Sequence, residues 1–262
     1  MNNLEKGDRN MFSRAELKNN AKLSLKHFYL WGLLACFIYA VLSGEFGDMW
    51  RGFSQIRYLS YADSITHHSV RRLMMNGMQF YYPVAGNYYF NPIAIISVLI
   101  SGIFVILRSI IGVLYQIFIV QVLEVGLYSF FLKNRYQETG INEMLAPFQK
   151  SYMNVVKVSF LRSLYTFLWS LLFLIPGIIK YYEYFFIPYL LVENPDLTTE
   201  QAIAMSRKMT NGEKWNIFVF QLSFLGWFLL ATLLGGVGWV LVMPYYQAAK
   251  SELYVCLKER KL

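Results

Sequence analysis

Charge is scarce in this sequence. Of 262 residues, 15% are Asp, Glu, Lys or Arg, while 56% are hydrophobic. A soluble domain carries about 25% charged residues. The apolar runs here are also too long for a soluble core. Cysteine is scarce too. Cys36 lies in the first apolar run and Cys256 near the C-terminus. Neither belongs to a CxxC or Cys/His spacing that would suggest zinc, and a structural disulfide is not expected. His67 and His68 are adjacent on a loop; neighbours do not share a helix face, so the pair reads as solvated rather than metal-binding. Catalytic signatures are missing as well. There is no Gly-x-Ser-x-Gly elbow, no P-loop and no His-Glu-x-x-His. The paired glutamates and helical histidines of an intramembrane metalloprotease are absent, and the carboxylates are scattered, mostly on loops. The sequence points away from an enzyme, and no cofactor or metal is expected.

What is abundant is apolar and aromatic. Mean hydropathy is +0.36, and the chain holds 20 Tyr and 21 Phe. Tyr and Trp favour the membrane–water interface. The net charge of +8 would suggest nucleic acid in a soluble protein. Here it follows from the crowding of Lys and Arg into cytoplasmic loops, and no nucleic-acid partner is expected.

Residues 1–27 are polar and hold six Lys/Arg. Ser13 with Glu16 has capping-box form. Leu17, Ala21, Leu25 and Phe28 then form one helical stripe, and Lys18, Lys22 and Lys26 the adjacent one at i, i+4. Such a helix can lie against the inner leaflet with its lysines on anionic lipid headgroups, or it can simply extend the first span into the cytoplasm. Both readings make the N-terminus cytoplasmic. The polar lead is long for a signal peptide and no Ala-x-Ala-like site follows the apolar run, so no cleaved signal is expected.

Six spans are expected, over about 28–43, 109–132, 157–176, 178–192, 215–234 and 237–257. Residues 44–92 form an outer loop, with two short amphipathic helices (Met49, Trp50, Phe53, Ile56; Val70, Leu73, Met74, Met78) and a closing aromatic segment. Residues 93–132 admit one span or two with a turn near Arg108. Two would put Lys133, Arg135, Lys150 and Lys157 outside, against the positive-inside rule; a single span puts them inside, and residues 93–108 then span, re-enter or lie on the membrane. Pro176-Gly177 is expected to end span three. Thr198 with Gln201 opens a short amphipathic helix that Asn211-Gly212 stops. Gly235, Gly236 and Gly238 make an outer turn, and Pro244 is a candidate kink in span six. With these assignments 18 of the 24 Lys/Arg fall on the cytoplasmic side, and both termini are cytoplasmic. The expected fold class is all-α: a polytopic membrane helix bundle of about six transmembrane helices with short amphipathic interfacial helices. It comprises a basic lead over 1–27 and a single membrane domain over 28–262.

A family pattern runs through these segments. Ile175-Pro176-Gly177-Ile178-Ile179-Lys180-Tyr181-Tyr182-Glu183-Tyr184 leads into Ile187-Pro188-Tyr189 and Glu193-Asn194-Pro195. Gln201-Ala202-Ile203, Ser206-Arg207-Lys208-Met209 and Asn211-Gly212-Glu213-Lys214-Trp215 follow. Glu16-Leu17-Lys18, Ala21-Lys22 and Glu124-Val125-Gly126 fit the same pattern. Together they resemble the bacterial integral membrane family known as domain of unknown function 975. More distantly they are similar to the membrane domain of some glycerophosphodiester phosphodiesterases. The resemblance covers most of the chain except residues 44–92. It implies a bacterial cytoplasmic membrane protein and no particular activity, since no phosphodiesterase catalytic domain is present.

Ionisable residues inside a membrane are costly and often functional. Glu124 on span two and Arg162 on span three lie at matching depths, so a buried pair is expected there, serving either proton or ion coupling or helix packing. Gln116 and Gln121 are candidates for interhelical hydrogen bonds. Lys180 and Glu183, at i, i+3, are expected as an outer interfacial pair. Two functions stay open. The first is a non-catalytic membrane component that binds a lipid, a peptide or a partner membrane protein, including a second copy of itself. The second is a small transporter or channel using a polar site near Glu124. A water-filled path at Glu124 favours transport, and a dry, packed bundle favours binding.

Overall fold

The computed structural model describes residues 12–45, 47, 92–137, 139–233 and 237–262. Most of the expected outer loop, His67, His68, Gly235 and Gly236 lie outside the described residues. The chain divides into two compact units, residues 46–114 and the remainder. Among the described residues every regular element is helical. The protein is an all-α helical membrane bundle. Four helices are long and apolar enough to cross a membrane: Arg14–Ser43, Ile100–Lys133, Tyr152–Leu172 and Lys214–Leu233.

Helix α1 (Arg14–Ser43) opens on Ser13, whose side chain accepts from the Glu16 amide, and closes on Gly44 with φ 84°. That left-handed cap suits glycine, which has no Cβ to clash. Its buried stripe is Leu17, Ala21, Leu25, Phe28, Gly32, Ala35 and Cys36. Lead and span are two helical stretches that meet at a kink at Phe28, beside the boundary expected at 27/28. Phe28 there has non-helical angles (φ −125°, ψ 22°) and sets its ring against the edges of Phe130 and Phe131 at 6.0 and 6.1 Å.

Helix α2 (Pro92–Tyr115) belongs to the unit of residues 46–114 up to Leu114. It is helical through Arg108, so no turn divides residues 92–115 there. A π-helical turn, Gln116–Val120, and helix α3 (Gln121–Lys133) follow. On α3, Gly126 lets the 3-10 turn Ile141–Leu145 sit against the helix, since a Cβ there would lie 1.9 Å from the Met144 carbonyl oxygen. Helix α4 is Ala146–Gln149 and helix α5 is Tyr152–Leu172.

The hairpin after α5 differs from expectation. The turn is at Phe173, in extended geometry (φ −155°, ψ 145°), and helix α6 (Leu174–Glu183) begins at once. Pro176 and Gly177 lie inside α6, not at the end of span three. Proline costs no hydrogen bond in a first turn, where amides have no helical acceptor. Gly177 lets α6 press onto α5, because a Cβ there would be 2.3 Å from Ser170 Oγ. Span four is likewise two pieces, α6 and α7 (Ile187–Glu193), broken at residues 184–186.

Helix α8 (Thr199–Thr210) carries the full capping box of Thr198 and Gln201. Span five is α9 (Lys214–Leu222) and α10 (Leu225–Leu233), and helix α11 (Val237–Lys261) runs through Pro244. Helix α11 packs along α1. Its interior is unusually polar: Gln247, Lys250, Ser251 and Glu252 are all buried.

Candidate functional site

Polar groups on α3, α5 and α11 meet in one network. Arg162 Nη2 donates to Glu124 Oε2 at 2.8 Å. One helical turn along α3, the Tyr128 hydroxyl donates to the other oxygen, Oε1, at 2.9 Å. Lys250 Nζ donates to the Tyr128 hydroxyl at 3.1 Å and stands 4.6 and 4.8 Å from the ring centroids of Tyr128 and Tyr246. One carboxylate thus serves two cations, Arg162 directly and Lys250 through a phenol. Gln121 Nε2 donates to Ser163 Oγ at 3.2 Å beside it.

The network forms one wall of a cavity of about 380 Å³. Ser163, Thr166 and Ser170 of α5 add hydroxyls, and Tyr181, Tyr184, Tyr189 and Tyr246 add phenols and ring faces. The lining also includes Phe167 and Tyr181, which are 63% and 48% exposed. The wall therefore grades from charged to apolar and accessible. Tyr128 stacks on Tyr189 (centroids 4.5 Å), and Tyr189 on Tyr254 (4.9 Å). The Tyr254 hydroxyl and Lys258 Nζ both donate to Glu193 Oε2, at 2.8 and 2.6 Å. Glu193 lines a second cavity of about 480 Å³, together with Ser129, Lys133 and Glu143.

Glu183 is a second shared carboxylate. Lys180 Nζ lies 2.6 Å from Oε2 and Lys214 Nζ 2.6 Å from Oε1, with Arg207 Nε at 3.5 Å. Lys180 and Glu183 do pair, and the same carboxylate also meets Arg207 and Lys214, which belong to the segment read as cytoplasmic. The break at 184–186 is held by Ser206, whose Oγ donates to the Glu183 carbonyl (2.6 Å) and accepts from the Phe186 amide (3.3 Å).

Segments read as cytoplasmic also touch one another and the inner end of the expected span six. Arg135 Nε pairs with Glu252 Oε1 at 2.7 Å. Asn154 Nδ2 donates to the carbonyls of Pro195 and Leu197 at 2.7 and 2.8 Å. Lys258 meets Glu193 as above.

The three lysines of α1 are not equivalent. Lys18 turns inward, donating to the Ser223 carbonyl at the α9–α10 break (3.0 Å), with its Nζ 4.4 Å from the Phe224 ring. Lys22 and Lys26 are exposed and flank a groove lined by Leu25, Tyr29, Trp227 and Tyr245.

The third of the chain holding α6 to α11 can be compared with a known family. Residues 171–261 match DUF975, described as a protein family of unknown function. No curated protein and no solved structure matches the chain. The match to DUF975 supports the first resemblance over that stretch; the likeness to glycerophosphodiester phosphodiesterase membrane domains receives no support. The DUF975 region contributes Tyr181, Tyr189, Tyr246 and Lys250 to the cavity, while Glu124 and Arg162 come from outside it. Sequence reasoning paired Glu124 with Arg162 but did not single out Lys250, which lies within the expected span 237–257. Its signal was available: a lysine seven residues from the end of an expected span is itself an intramembrane charge. Tyr128, at i+4 from Glu124 on one helix face, was also legible. Among the described residues no cluster of three or more His, Cys, Asp or Glu is placed to hold a metal, and Cys36 and Cys256 are free thiols.

Proposed function

We propose that this protein is a non-catalytic membrane component that holds part of a membrane amphiphile, a lipid or lipid-like molecule, in the cavity beside Glu124 and Arg162. The observation that carries the reading is the grading of the wall, from Glu124, Arg162 and Lys250 to accessible Phe167 and Tyr181. A molecule with one polar and one apolar end matches that order. The volume of about 380 Å³ is near the lower end of small-ligand pockets, about 300–1,000 Å³. It suits a headgroup and excludes a folded partner. The protein then resides in the bacterial cytoplasmic membrane with both termini cytoplasmic. The mutual contacts of residues 133–156, 193–198 and the C-terminal helix support one common side for them, and the basic residues select the cytoplasm.

Mass spectrometry of lipids co-purifying with the full chain tests the proposal. Wild type should retain a defined amphiphile. Ser163→Trp, which fills the cavity, should lose it while eluting as wild type. Equal retention by both would sink the proposal. One observation favours transport instead: the second cavity beyond the stacked Tyr128, Tyr189 and Tyr254. On that reading Tyr189→Ala opens the stack and raises solute flux in liposomes above the wild-type level.

A further inference from the structure

Lys250 is a buried cation with an incomplete set of partners. Only 6% of the residue is exposed, and it lines the cavity. Its ammonium has three N–H donors; one goes to the Tyr128 hydroxyl, and two aromatic faces lie beside it. Among the described residues no carboxylate comes within 4.0 Å of it. Glu124, Arg162 and the exposed Glu45 act on Lys250 through space. Glu124 is already bonded to Arg162 and Tyr128. A buried ammonium is normally paired, so among the described residues the contact network is one negative charge short. The cavity that Lys250 lines offers room for that charge, and the Ser163, Thr166, Tyr181 and Tyr184 side chains also line its wall.

Resting on the amphiphile reading above, we infer that the headgroup held here is a monoanionic, oxygen-rich group, a phosphate diester, bound between Lys250 and Arg162. The apolar chains leave past Phe167 and Tyr181. The occupant is thus a glycerophospholipid of net charge −1; uncharged lipids lack the anion, and zwitterionic lipids bring beside the same phosphate diester an ammonium group that Lys250 and Arg162 repel. A charge-assisted hydrogen bond is about twice as strong as a neutral one, which gives the headgroup its selectivity. Glu124 has a complementary part: it holds Arg162 and Tyr128 in place and repels a dianion.

The test uses the full chain in detergent, incubated with chain-matched phosphatidylglycerol, phosphatidylcholine and diacylglycerol, and read by native mass spectrometry. Wild type is expected to retain phosphatidylglycerol about tenfold over the others, the ratio one well-placed charge provides. Lys250→Met should bring that ratio to about one, and Lys250→Arg, which keeps the charge, should preserve most of it. Retention of all three lipids alike by wild type, or a preference unchanged in Lys250→Met, overturns the inference and leaves the amphiphile reading standing. Failure to retain any of them overturns both. Should Lys250→Met not elute as a folded species, the wild-type ratio alone decides. Inorganic phosphate supplied at millimolar concentration separates the two sources of the anion. Displacement of phosphatidylglycerol by phosphate assigns the subsite to the free ion and overturns the lipid assignment; no displacement supports it.

Discussion

Neutralising Glu124 and neutralising Arg162 should not cost the same. The pair is joined at 2.8 Å and both side chains are about one-fifth exposed. Breaking a buried pair by removing one partner costs about 3–5 kcal/mol, because the survivor is left charged and unpaired. In Arg162→Met the survivor is Glu124, which keeps the Tyr128 hydroxyl and, behind it, Lys250. The cost should fall below that range, at about 2 kcal/mol, since one charge-assisted bond is lost and another remains. In Glu124→Gln the survivors are two cations, Arg162 and Lys250, sharing one wall of a cavity. That loss should reach the upper end, about 4–5 kcal/mol. The double variant Glu124→Gln/Arg162→Met removes both charges and should be milder than Glu124→Gln alone, giving a coupling of at least about 2 kcal/mol in a double-mutant cycle. Unfolding of the detergent-solubilised protein, followed by tryptophan fluorescence during titration with a denaturing detergent, orders the variants by midpoint. If Arg162→Met proves as damaging as Glu124→Gln, or if the two effects add, Lys250 is not part of the network and the charge argument fails.

Four further outcomes follow from contacts already described. Gly126→Ala should destabilise the protein by about 3 kcal/mol, at the upper end for overpacking, since its Cβ would meet backbone at Met144; thermal unfolding measures it. Ser206→Ala should cost about 1–3 kcal/mol by stranding the Phe186 amide at the α6–α7 break, and Ser206→Thr should restore part of it in the same assay. Lys22→Gln with Lys26→Gln should weaken association with anionic vesicles by about 1 kcal/mol per lysine without shifting the unfolding midpoint, whereas Lys18→Met should lower the midpoint through its lost bond to the Ser223 carbonyl. Single cysteines at Lys150 and Leu262, in a chain without Cys36 and Cys256, should react with an impermeant maleimide only after cells are permeabilised; labelling of either in intact cells would invert the proposed topology.

Much of the fold was legible because apolar periodicity and caps are local. The stripe from Leu17 to Phe28, the Ser13 and Thr198 caps and the stop after Thr210 all follow from spacing alone. Boundaries set by packing were not. Pro176-Gly177 reads as a breaker in isolation, yet proline is harmless in a first turn and glycine serves close packing against Ser170. The site was half legible for a similar reason. Glu124 and Arg162 stood out as charges within spans, and equal depth brought them together on paper. Lys250 reaches the same point from a helix far away in sequence, and only the packing of α11 against α1 and α3 reveals it. The Lys180–Glu183 pair was legible from its i, i+3 spacing, whereas its further partners Arg207 and Lys214 come from elements distant in sequence and follow from packing alone.

The polar face of α11 bears on how the chain is made. Four helices are apolar enough to enter a bilayer alone, and α11, with Gln247, Lys250, Ser251 and Glu252 along its length, is not among them. Charged residues at the centre of a helix oppose insertion by about 2.5–3.5 kcal/mol each on the translocon scale. Helix α11 leaves the ribosome after α1 and α3. By then Arg135 and Tyr128 are already in place to receive Glu252 and Lys250. Insertion of α11 is therefore conditional on those earlier helices. A nascent chain with a faulty α1 or α3 would leave the charges of α11 unpaired and hold that helix out of the bilayer.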